Sequence, residues 1–251
     1  MRTIIAGTDI VKAFGRGDER TQALAGVDVA IGQGEFVAVM GPSGSGKSTL
    51  LFALSGMDTV TSGSVRFEGV ELSELNEKQL ADTRRTKMGF VFQQPTMLKN
   101  LNLLDNIILP AAQDRKKTDA LVAEAKGLMA RTGLAGLEVR AVTEVSGGQL
   151  QRAGICRALM NKPQVLFADE PTGALDSKSA EEILNLLVEI NRGGTAILLV
   201  THDAKVAARA DRVLFTKDGR LVSDLPLGPS DGADRSAREE AVFARMAAVG
   251  I

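Results

Sequence analysis

The sequence predicts an α/β fold built on a mostly parallel sheet, and three observations carry that expectation. The segments Phe36–Met40, 165–168 (VLFA) and Ala196–Val200 are apolar at every position, the pattern of strands covered on both faces. An amphipathic helical stretch, 181–190 (EEILNLLVEI), separates the second from the third. Each segment gives way to polar residues at its C-terminal end, where open α/β sheets place their ligands.

Taken in order, strand-like pieces at 8–11 and 25–31 precede Phe36–Met40, with glycine-bearing turns such as Gly32-Gln33-Gly34 between them. From Gln93 to Pro163 the period becomes helical. The stretch 119–132 puts Leu121, Ala125, Leu128 and Met129 on one face, and 147–161 follows Ser146, a residue suited to cap a helix. Residues of about 94–162 therefore read as a mostly helical insertion between sheet-forming segments. From 226 to 234 (PLGPSDGAD) the composition turns linker-like. Ser236 and Glu239 then form a capping-box pattern ahead of Val242, Met246 and Val249. The expected division is one domain over 1–225, then a linker and short helix over 226–251, free to dock on its own domain, on another subunit or on nothing.

Composition narrows the chemistry. In 251 residues, 30 Lys+Arg against 31 Asp+Glu give a formal net charge of -1, which argues against binding nucleic acid by phosphate neutralisation. With one Cys and one His, neither an internal disulfide nor a soft-metal cluster can form within the chain. The first residues lack the apolar core of a signal peptide, and no apolar run approaches the roughly 18 residues of a membrane span. A soluble, cytoplasmic protein is expected.

The residues Gly41, Pro42, Ser43, Gly44, Ser45, Gly46, Lys47 and Ser48 match G-x-x-x-x-G-K-[ST] in full, directly after a buried-type strand and before the apolar Leu50-Leu51-Phe52. Glycines let such a loop curl its N–H groups onto phosphate oxygens, and the following helix adds the positive end of its dipole. Lys47 is placed to reach the β- and γ-phosphates of a nucleotide and Ser48 to hold Mg²⁺, with Thr49 next along the helix. At the end of 165–168 stand Asp169 and Glu170, two adjacent acids that repel unless they address a cation. Asp169 suits support of Mg²⁺, and Glu170 suits a general base for the attacking water.

Val145-Ser146-Gly147-Gly148-Gln149 resembles the signature of ABC-transporter ATPases, usually LSGGQ, with Val145 in place of Leu. SGG at a helix start is a second anion cap of free N–H groups. The resemblance implies a P-loop NTPase (RecA-like) core, an antiparallel β subdomain near the N-terminus and an inserted helical signature subdomain. It further implies that Gln93 contacts Mg²⁺ and the attacking water. His202, within Thr201-His202-Asp203, would hold the γ-phosphate, and Phe14 would stack on adenine. Gly173-Ala174-Leu175-Asp176 resembles the D-loop, with Gly173 where Ser is usual. The implied ligands are ATP and Mg²⁺. The implied partners are a second copy or a paralogous ABC subunit, joined head to tail, and an integral membrane permease on the inner face of the cell membrane. In such a dimer Ser146, Gly147, Gly148 and Gln149 complete the neighbour's ATP site.

The stretch from Phe92 to Pro110 is similar to the MacB/LolD/FtsE branch, and within it to BceA-like subunits, which handle peptides, lipoproteins or antibiotics or transmit force. On this reading Leu101, Leu104 and Ile108 either line a groove for a permease helix or belong to the core of the helical insertion. Gln151 and Arg152 either contact backbone or phosphate or lie on a solvated face. Cys156 reads as a small buried hydrophobe, and Arg84-Arg85-Thr86-Lys87 as surface. A soluble ABC ATPase acting on DNA, ribosomes or Fe–S assembly is the alternative, disfavoured by length and neutral charge. A GTPase needs N-K-x-D, and the nearest run is Asn161-Lys162-Pro163-Gln164.

Overall fold

The computed structural model describes residues 2–15, 21–112, 118–230 and 234–251. Strands β1 (Thr3–Phe14) and β2 (Thr21–Gly32) enclose the two early pieces and pair antiparallel. With β4 (Ser62–Phe67) and the short β5 (Val70–Glu71) they form a four-stranded antiparallel sheet of order β2-β1-β4-β5. Between these strands in the chain come β3 (Phe36–Met40) and α1 (Lys47–Leu54).

The second sheet has the order β10-β9-β3-β8-β7-β6. Its members are β3, β6 (Met88–Phe92), β7 (Val165–Asp169), β8 (Ala196–Val200), β9 (Arg212–Lys217) and β10 (Arg220–Pro226). All neighbours run parallel except the β9–β10 hairpin. Successive residues of the central strands fill two different cores. Val37, Val39, Val165, Phe167, Leu198 and Val200 face the side of α1 and the antiparallel sheet. Phe36, Ala38, Met40, Leu166, Ile197 and Leu199 face α6 (Ser177–Arg192) and α7 (Ala204–Ala207). Burial on both faces is the physical reason these strands show no hydropathic alternation.

After α2 (Glu77–Lys87), the insertion is built from α3 (Leu103–Ala112), α4 (Asp119–Arg131) and α5 (Gly147–Leu159) around a third core. Leu121, Ala125 and Met129 are buried there, as their spacing predicts. Leu104 and Ile108 are buried in the same core, so they are packing residues and not the wall of an open groove. Cys156 is fully buried beside them. The basic run at the end of α2 is tied down by acids: Lys87 pairs with Glu68 at 2.6 Å and Arg85 with Asp82 at 3.1 Å.

The C-terminal helix α8 (Arg235–Val249) corrects the expected cap. Asp234, not Ser236, is its N-cap, accepting from the Ser236 N–H, so the helix begins earlier and runs 15 residues. It docks on its own domain. Val242 is fully buried, and the Arg238 guanidinium donates to the carbonyls of Ala208, Ala210, Leu227 and Gly228. Pro226, expected to open the linker, ends β10, and the N–H groups of Leu227 and Gly228 donate to Asp211. Residues 231–233 of that linker lie outside the described residues.

Candidate active site

Parallel register assembles the site. Phe92 pairs with Asp169, Asp169 with Val200, and Val200 with Val39, so four adjacent strands end at one level. The residues that follow, Gln93, Glu170, Thr201-His202 and Gly41, leave the sheet at its carboxyl edge.

Loop 41–46 takes its shape from glycine. Gly46 has φ +95°, and a Cβ there would meet the Ala23 carbonyl at 2.4 Å, so only glycine lets the loop lie against β2. A Cβ on Gly41 would meet the Thr216 carbonyl at 2.2 Å. Ser45 is buried and bonds the Thr216 hydroxyl at 2.8 Å, which in turn donates to the Met40 carbonyl at 3.0 Å. Pro42, Ser43 and Gly44 form the exposed crest, and Thr49 is half-buried on α1. The Lys47 ammonium donates to the carbonyls of Gly41 and Pro42, both at 2.9 Å, and so spans the mouth of the loop.

Ser48 Oγ donates to Asp169 Oδ1 at 2.9 Å, joining α1 to the end of β7 across 121 positions of sequence. Burial, with the Glu170 charge beside it, holds the Asp169 carboxyl above its ordinary range against the opposing Ser48 bond and Lys47 charge. Burial likewise lowers Lys47, and the acids Glu170 and Asp169 offset only part of that. In both groups burial outweighs the interactions that oppose it. Glu170 sits at φ 47°, a left-handed conformation uncommon for a non-glycine residue, with its N–H donating to Val200 O. Its Oε1 accepts from His202 Nδ1 at 2.8 Å.

The glycine at 173 has a physical role. A Cβ there would lie 2.9 Å from Gln93 Nε2, so the missing side chain makes room for the glutamine. Gln151 is buried, and its Nε2 donates to the Phe92 carbonyl at 2.9 Å, bracing the strand end just before Gln93. Arg152 pairs with Glu182 at 2.6 Å. These two side chains therefore make protein contacts and do not form a solvated face.

The remaining predicted residues make their contacts with other segments. Ser146 and Gln149 form a reciprocal capping box at the start of α5, at 2.8 and 3.2 Å. Gly147 approaches Leu175, and a Cβ on Gly148 would meet Ser179 Oγ at 2.8 Å, so this cap lies beside the 175–179 segment. Asp176 caps α6, and the N–H and hydroxyl of Ser179 hold its carboxyl below the usual range. Phe14 is 48% exposed, which rules it out of the core. Three residues that bear on the site carried no sequence signal as such: Thr216 under the loop, and Lys12 with Asp58 behind Phe14. A cavity of about 910 Å³ opens elsewhere, between α4 and the start of β8, lined by Gly127, Arg131 and Thr195.

The family model described as ABC transporter matches residues 24–173. The bacitracin export ATP-binding protein BceA of Halalkalibacterium halodurans is 41% identical over 226 residues, covering 90% of this chain and 89% of that protein. The macrolide export ATP-binding/permease protein MacB of Mannheimia succiniciproducens is 42% identical over 226 residues, 90% of this chain but 35% of that protein. The chain thus spans about a third of the length of the MacB relatives it matches. Among solved structures, the dimeric post-hydrolysis state of the ATP-binding cassette MJ0796 bound to ADP and Pi matches with TM-score 0.80 and 35% identity, over 89% of this chain and 98% of that one. CbiO1 of Clostridium perfringens, part of the transporter complex cbiONQ, matches with TM-score 0.81 and 26% identity, over 98% of this chain and 95% of that one.

Proposed function

The chain belongs to the ABC transporter family, and from that premise we propose that it is the ATP-hydrolysing subunit of a membrane export complex, working at the site formed by loop 41–49, Gln93, Asp169, Glu170 and His202. The observation that carries the reading is the pair of contacts Ser48–Asp169 and Glu170–His202, which brings a metal-binding set and a proton-accepting set to one strand edge.

The loop N–H groups and Lys47 bind the phosphates, whose oxygens replace the carbonyls of Gly41 and Pro42 as partners of the ammonium. Ser48 Oγ, the Asp169 carboxylate and the Gln93 amide are hard oxygen donors, a set that suits Mg²⁺. Held by these residues, Mg²⁺ would neutralise charge on the nucleotide phosphates. Glu170 accepts the proton of the attacking water, and His202 fixes the carboxylate that does so. Phe14 offers its exposed face to adenine.

Ser146, Gly147, Gly148 and Gln149 cap α5 beside the 175–179 segment, and they fit the ATP site of a second copy, head to tail. Closure of that dimer on ATP and its opening after hydrolysis move the partner permease. The permease contact fits a cleft of about 400 Å³ between β6, α2 and α5, lined by Met57, Phe90, Phe92 and Pro110 with Arg85 and Arg157 at its rim. Among the described residues no helix is long and apolar enough to cross a membrane. In the proposed complex, residues 1–225 are an ATPase domain held at the cytoplasmic face by that permease. The cargo reading is peptides, lipoproteins or antibiotics, or force alone, and the relatives named for macrolide and bacitracin export support the antibiotic member of that set. Affinity capture of tagged E170Q from solubilised native membranes with ATP should recover a polytopic permease. Recovery of soluble partners alone would overturn the membrane reading.

A further inference from the structure

Lysine is almost never buried without a partner, and Lys12 is 8% exposed. Its ammonium lies 2.6 Å from Asp58 Oδ1 and 2.6 Å from the Thr59 carbonyl, and 5.0 Å from the centroid of the Phe14 ring. That distance is within the range of a cation–π contact. Phe14, 48% exposed, has little packing of its own to hold it.

The strand end that carries the ring is clamped to the same segment as the lysine. The Ala13 N–H donates to Thr61 Oγ1 at 3.0 Å and the Thr61 N–H to Val11 O at 2.7 Å. Asp58 in turn is bound to α1, its N–H donating to Phe52 O. Since α1 begins at Lys47, one short run of contacts joins the ring to the phosphate loop. On the other side, Phe14 pairs with Thr21 on β2, two residues from Ala23, the carbonyl that Gly46 approaches.

We propose that Lys12, anchored by Asp58, is a positioning residue for nucleotide binding: it occupies the rear of the Phe14 ring, fixes the ring plane relative to the phosphate loop and leaves the other face for a purine. The cation behind the ring draws π density away from the outer face, which favours stacking with an electron-rich base. The inference rests on the stacking role of Phe14 and adds what holds and polarises that ring.

Binding of ATP and of inorganic tripolyphosphate to the full chain separates base from phosphate recognition. K12M should weaken ATP binding about three- to tenfold and D58N by a smaller factor of about two to three, both leaving tripolyphosphate binding unchanged. In an F14L background, K12M should cost nothing further, because the ring it acts through is gone. D58N keeps a hydrogen-bond acceptor for the ammonium and serves as the milder variant should K12M fold poorly. Equal loss for both ligands would make the pair a structural staple and overturn the inference, as would unchanged ATP affinity in K12M and D58N or full additivity with F14L. Unchanged ATP affinity in F14L itself would remove the stacking role first, a result distinct from failure of K12M alone.

Discussion

His202 Nδ1 donates to Glu170 Oε1 at 2.8 Å, although 32 positions separate them in sequence. The two residues leave adjacent parallel strands at the same level, Asp169 opposite Val200, so the contact follows from register. Glu170 has a left-handed backbone and its carboxylate meets His202, while the adjacent Asp169 carboxylate bonds Ser48. Two neighbouring acids thereby acquire different partners, Ser48 and His202, as the proposed division between metal support and proton transfer requires.

E170Q should abolish steady-state hydrolysis by about a hundredfold or more while retaining ATP binding, because the amide oxygen can still accept from His202 but the group no longer takes a proton. The trapped nucleotide should hold two copies together. Gel filtration of E170Q with ATP should show a dimer, and wild type with ADP a monomer. Hydrolysis at the wild-type rate in E170Q would remove Glu170 from the base role.

K47A should weaken ATP binding about tenfold to a hundredfold, the scale of one lost charge-assisted contact to phosphate. The fold should survive, since the bonds forfeited are two to carbonyls of the exposed loop and the lysine is itself penalised by burial. Titration with a fluorescent ATP analogue checks the first statement and a thermal melt the second. Native affinity in K47A would sink the cradle assignment.

G173A separates geometry from stability. The added methyl would lie 2.9 Å from Gln93 Nε2, the far end of a flexible side chain, and Gly173 has no left-handed backbone that an alanine would strain. The glutamine yields, so the melting temperature should stay within about 2 °C of wild type. Hydrolysis should fall about tenfold through the displaced amide, with ATP affinity nearly unchanged. Equal hydrolysis in G173A would show that Gln93 works from another position.

Much of this was legible in the sequence, for identifiable reasons. The central strands announce themselves because Phe36–Met40 and Ala196–Val200 supply two cores at once, and the phosphate loop because its parts are contiguous. Pairings across register were not legible. Lys12 meets Asp58 at a separation of 46 residues and Ser45 meets Thr216 at 171, and neither spacing has a local signature. The start of α8 departs from the capping pattern at Ser236 because Asp234, two residues earlier, can cap as well. The choice falls to Asp234, whose longer helix sets Arg238 against the carbonyls of Ala208 and Ala210. Leu104 and Ile108 fit either a groove or a core until α4 and α5 are seen to cover them.

The surroundings of Cys156 give the fold a dependence on alkaline pH. It is fully buried on α5, with Thr132 Oγ1 at 3.1 Å, and burial pushes its thiol from an ordinary 9.0 up to about 11. At pH 8 the native thiol should therefore resist a thiolate-selective reagent and react only after denaturation. The sign of the stability effect follows from the same shift. The folded state holds the proton more tightly than the unfolded chain, so the contribution is complete below pH 9.0 and is lost as pH rises toward about 11. Across that interval it amounts to about 2–3 kcal/mol. Denaturant unfolding at pH 8 and pH 10.5 should show wild type losing more stability than C156A, in which nothing at this position titrates. Parallel losses in the two proteins would place the alkaline sensitivity at other groups.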